Sequence, residues 1–118
     1  MVEDLVKEKA LALADAILEL DEYKEFLEVE SKLKEDQIAQ ELLAEFQQKQ
    51  QSFVTKQLSG EFDQQILGEL TEIQSKLNTR ESVVNFLEAY NRLLNVLGEI
   101  TDLISERIQL DLGEVYRK

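Results

Sequence analysis

The stretch Glu81 to Ile108, ESVVNFLEAYNRLLNVLGEITDLISERI, decides the fold class. Val83, Leu87, Tyr90, Leu94, Leu97, Ile104 and Ile108 keep alternating steps of four and three, with Thr101 at the missing position. That is the period of an α-helix. Val84, Phe86, Leu93, Val96, Ile100 and Leu103 widen the stripe well beyond the ~100° apolar face that a surface helix needs. Such a helix must be covered on two sides. At 1.5 Å per residue it would extend on the order of 42 Å, against a diameter of roughly 35 Å for a compact chain of this size. A straight helix therefore overhangs its own domain, and pairing with a second copy about a two-fold axis covers the overhang. The alternative is a bend at Gly98 that folds the end back on the chain's own core.

The same period runs back through the chain. Leu5, Val6, Ala10, Leu13, Ala14, Ile17, Leu18 and Leu20 form one face of a first helix. Asp21 is the expected N-cap of a second, with Tyr23, Phe26, Leu27, Val29 and Leu33, and Asp36 that of a third. The third runs from Gln37 to Ser59 with Ile38, Leu42, Leu43, Phe46, Phe53, Val54 and Leu58. Its middle, Gln47 to Gln51, holds no hydrophobe. It either crosses solvent between two packing sites or runs along a partner with a polar layer. Gly60 supplies the left-handed residue that ends it, the helix-terminating elbow. A fourth helix is expected from about Phe62 to Leu77, with Thr79 as the cap of the last. The expectation is one all-α domain over 1–118, a helical bundle of about five helices with a long C-terminal helix, paired as a homodimer.

Composition excludes much chemistry. The chain has 118 residues, 13 Lys+Arg against 25 Asp+Glu, a formal net charge of −12, and neither Cys nor His. Thiolate nucleophiles, Ser-His and Cys-His relays, disulfides and the usual zinc sites fall away together. The surplus of carboxylates repels phosphate backbones and anionic lipid heads, so no direct nucleic-acid contact and no membrane contact is expected. Lys32 with Lys34, and Arg117 with Lys118, read as solvated surface pairs. No run approaches the ~20 apolar residues of a membrane span, and the N-terminus lacks a signal-peptide pattern. A cytoplasmic location is expected. Gly60, Gly68, Gly98 and Gly113 stand too far apart for a phosphate-binding loop. Glu22, Glu25, Glu28, Glu45 and Glu72 fall on polar faces, Glu88 lies one position off the stripe, and Arg92 and Arg107 read as structural ion-pair partners. No catalytic, cofactor or metal site is expected. The residues expected to carry self-association or partner contact are Leu87, Leu94, Leu97, Ile104 and Ile108, with Phe46 and Phe53 as supporting anchors.

Three stretches together resemble the YlbF/YmcA family of small bacterial helical proteins, and its YheA-like branch most. They are Ala16 to Leu27 around Asp21-Glu22-Tyr23, Leu43-Ala44-Glu45-Phe46-Gln47 continuing to Lys56-Gln57-Leu58-Ser59-Gly60-Glu61, and Val83 to Ala89 with Leu93-Leu94 and Ile100 to Ile104. The tail Gly113-Glu114-Val115-Tyr116 is also similar. The resemblance implies a non-catalytic regulator that self-associates and works by contact. It also implies possible company: YlbF/YmcA-type subunits and an RNA-processing complex, in competence, sporulation and biofilm control. Members of that complex hold iron–sulfur clusters through cysteines, and this chain has none. The alternative is a YheA-like homodimer with a small-ligand or carboxylate-metal site.

Overall fold

The computed structural model describes residues 1–112. These form five helices and no strand: α1 (Asp4–Leu18), α2 (Asp21–Glu35), α3 (Gln37–Leu58), α4 (Gln64–Asn78) and α5 (Glu81–Ile108). The all-helical expectation is met. The tail Gly113 to Tyr116 and the pair Arg117 and Lys118 lie outside the described residues.

The helix ends explain the boundaries. Asp36 accepts from the Ala39 amide at 3.2 Å and starts α3 as expected. Asp21 does not cap α2. It lies inside the first turn, and the Leu20 carbonyl accepts from Tyr23 and Lys24 instead, both at 3.1 Å. Thr79 closes α4 rather than opening α5, with its hydroxyl donating to the Lys76 carbonyl at 3.0 Å. The fourth helix begins after Phe62 because the Asp63 carboxylate accepts from the amides of Gln65 and Ile66, at 3.0 and 3.1 Å. At the elbow Gly60 adopts φ +87°. The Gly60 amide donates to the Gln57 carbonyl at 3.0 Å and the Glu61 amide to the Lys56 carbonyl at 2.9 Å, the paired bonds of a Schellman turn. α5 runs unbroken through Gly98.

Contacts divide the chain into two units, residues 29–87 and residues 1–28 with 88 onward. The 29–87 unit has a closed core. Leu33, Ala39, Ile73, Leu77 and Val83 are buried together, and Leu42, Phe46 and Phe86 pack against them. α3 and α4 lie side by side, tied by the ion pair Lys49–Glu69 and by Lys56–Asp63 at 2.8 Å. α4 has 15 residues, about the length at which an isolated helix is marginal, so packing of Ile73 and Leu77 in the core supports it. The other unit buries less: Ala89 and Leu93 are its buried residues among those described, and α1 buries none.

Candidate protein–protein interface

In the 29–87 unit one carboxylate organises the ends of three helices. Asp36 caps α3, takes two bonds from the Arg80 guanidinium at 3.0 and 2.8 Å, and accepts from the Ser82 hydroxyl at 2.6 Å. Fork-to-fork pairing of this kind is geometrically demanding and strong. The Arg80 and Ser82 bonds hold the Asp36 carboxyl at about 2, below the usual carboxylate range. Beside it lies a cleft of about 350 Å3 lined by Val29, Lys32, Asp36, Arg80, Ser82 and Asn85. Asp36 and Arg80 satisfy one another there, and Glu81 also lines the cleft. Among the described residues no group of His, Cys, Asp or Glu is placed to hold a metal ion, and no buried side-chain polar atom lacks a partner.

The unit with the termini presents apolar surface instead. α1 exposes Leu5, Val6, Leu11 and Leu18 at about half or more of their area. Along α5 burial varies within each stripe: Val83 of the first is buried and Leu103 of the second is 67% exposed. Ala89 and Leu93 are buried, with Val96 and Ile100 half-buried. Leu87, Leu94 and Ile108 are 45%, 45% and 52% exposed, Ile104 is exposed at 39%, and Leu97 is half-buried. Tyr90 meets Phe26 with ring centroids 5.9 Å apart, and Arg92 pairs with Glu25 as a structural partner. Phe46 and Phe53 lie elsewhere. Phe46 packs on the 29–87 core, and Phe53 meets Phe62 edge to face with centroids 5.6 Å apart.

Sequence reasoning missed three things here. Asp63 preceded the fourth helix as a cap-type residue, and that signal was readable. The Arg80–Asp36 pair spans 44 residues and had none. The lack of any buried residue in α1 was equally invisible, since an amphipathic face does not say what covers it.

The described residues form five helices, and α1 and α5 carry exposed large apolar residues. The chain belongs to the family described as control of competence regulator ComK, YlbF/YmcA, whose profile matches residues 6–109. It is similar to UPF0342 proteins of Staphylococcus haemolyticus (29% identical over 105 residues, 88% of this chain and 89% of the relative). The likeness to that of Staphylococcus saprophyticus is 30% over 105 residues, again 88% and 89%. That of Symbiobacterium thermophilum is 29% identical over 104 residues, 87% of this chain and 93% of the relative. Among solved structures the fold matches Bacillus subtilis RicA, determined in complex with RicF, with a TM-score of 0.82, 22% identity, and 91% and 96% of the two chains covered.

Proposed function

We propose that this chain is a non-catalytic regulatory adaptor whose working parts are the open apolar faces of α1 and α5. The observation that carries the reading is the exposed line Leu87, Leu94, Ile104 and Ile108, with Leu97 beside it, on a helix that already buries Val83, Ala89 and Leu93. Fully burying a leucine or isoleucine stabilises by about 1.5–3 kcal/mol. Four half-covered residues therefore hold several kcal/mol in reserve for a partner, offset by the cost of association. A second copy is the simplest partner, because a two-fold contact buries the line on both chains. A second reading has support in the family: RicA is seen with RicF, so a YlbF-type subunit is a plausible occupant of the same face. Roles in messenger-RNA processing, competence or biofilm control belong to this proposal and follow from the family alone.

The test is sedimentation of the purified chain from low to high micromolar concentration, with Leu94→Asp beside it. A mass that rises with concentration in the wild type and rises less in a folded Leu94→Asp supports self-association through α5. A wild-type monomer throughout rules out the second copy. Capture from the host at modest salt that then recovers no YlbF-type subunit rules out the second reading as well.

A further inference from the structure

α3 carries a face that neither the 29–87 core nor the α5 line uses. Leu43, Gln47, Gln50, Val54 and Leu58 follow one another at steps of four, three, four and four, with Gln51 beside Gln50. Residues at those spacings share one side of a helix. All six are exposed, from 36% at Leu43 through 46% at Val54 to 85% at Leu58. None is charged. The four charged residues of α3, Glu41, Glu45, Lys49 and Lys56, fall on the other side, where Lys49 pairs with Glu69 and Lys56 with Asp63. Leu43 to Leu58 spans about 22 Å of helix at 1.5 Å per residue. In a chain with 32% charged residues, a solvated line of that length without one charge calls for a reason.

We infer that this line is the seat of a second copy's α3, antiparallel, with the two-fold axis passing by Gln50 and Gln51. Three observations fix the occupant. A chain of net charge −12 repels its own copy wherever acidic surfaces meet, and this face brings no like charges together. A glutamine amide has two donors and an acceptor, so a row of glutamines complements its own image, which a row of acids or lysines does not. The ends also match. Leu43 lies seven positions before Gln50 and Leu58 seven after Gln51, so the antiparallel copy sets Leu43 against Leu58 and Gln47 against Val54. The polar middle then fixes register and orientation, as buried polar residues do in coiled coils. This contact rests on the contact reading and extends it to a second face; a wild-type monomer sinks both, and Gln50→Cys combined with Leu94→Asp tells them apart.

The absence of cysteine makes the test clean, because one introduced thiol is the only one present. Helices packed at 8–10 Å bring Cα atoms that face each other along the contact line near disulfide range, and leave those that do not face each other outside it. Under mild oxidation Gln50→Cys should run largely as a covalent dimer on a non-reducing gel, while Glu45→Cys stays monomeric. Leu58→Cys alone should not link, but should link when mixed with Leu43→Cys. Failure of Gln50→Cys to link, or equal linking at Glu45→Cys, overturns the face. Self-linking of Leu58→Cys overturns the antiparallel arrangement. As a second measurement, Gln47→Glu with Gln50→Glu should weaken self-association at least tenfold, and mixing with Gln47→Lys with Gln50→Lys should restore it. No change in either variant overturns the inference. Gln50→Cys combined with Leu94→Asp should still link. Loss of that link would assign self-contact to α5 and remove α3 from it.

Discussion

The two units of this chain differ in how completely they are finished. Residues 29–87 close around Leu33, Ala39, Ile73, Leu77 and Val83 and lock their helix ends on Asp36. Residues 1–28 with 88 onward contain α1, fifteen residues without a buried side chain. The same 3.6-residue period produced both. What separates them is whether each apolar stripe found a neighbour within the chain: a stripe that meets one contributes to stability, and a stripe that does not is available for association.

Substitutions can break or sharpen that contrast. The largest effect belongs to Leu77→Ala, which removes a side chain only 7% exposed and should destabilise by about 2–5 kcal/mol in urea or thermal melts. A loss below about 1 kcal/mol would mean the 29–87 core is not closed. Next comes Gly60→Ala. At φ +87° an added Cβ is strained whatever the space, and about 1–2 kcal/mol should be lost.

Gly98→Ala should act oppositely and more weakly, raising stability by about 0.5–1 kcal/mol. It relieves the helix-interior glycine penalty, and a Cβ there meets nothing within 4 Å. Asp36→Asn tests the clamp through pH. The carboxyl titrates at about 2 in the folded chain against an ordinary 3.8. Its contribution is therefore complete above the ordinary value and disappears as pH falls through the lowered one. The variant should flatten the acid limb of a stability–pH curve within that window. Some slope should remain, because Asp63 and Glu69 are also held low, by Lys56 and Lys49 in turn. The smallest effect is expected for Leu11→Ala, 56% exposed on α1, which should shift the melt of the dilute chain by under about 0.5 kcal/mol. A loss like that of Leu77→Ala would show that α1 is sheltered after all.

Much of this was legible in the residues. Asp36 and Gly60 announced their helix boundaries because a carboxylate before an apolar period and a glycine after one solve local hydrogen-bond problems. Asp21 and Thr79 carried comparable signals and were not used that way: Asp21 lies inside the first turn of α2, and Thr79 closes α4. Periodicity also showed that α5 was apolar on two sides. It could not say which residues the chain would cover for itself, and Val83, Ala89 and Leu93 are buried while Leu87, Leu94 and Leu103 are exposed. That choice depends on tertiary packing, as does the meeting of Arg80 with Asp36.

The elbow between α3 and α4 has a consequence for how such chains can change. Most surface connections accept extra residues because their backbone groups answer only to water. Here the amides of Gly60 and Glu61 are bound to α3, the Asp63 carboxylate to the first turn of α4, and Lys56 to Asp63. An inserted residue would unhitch at least one of these and rotate α4 about its own axis, pulling Ile73 and Leu77 out of register with Ala39. An extra residue at this joint is therefore expected to cost stability, unlike one placed in a connection whose backbone groups meet only water.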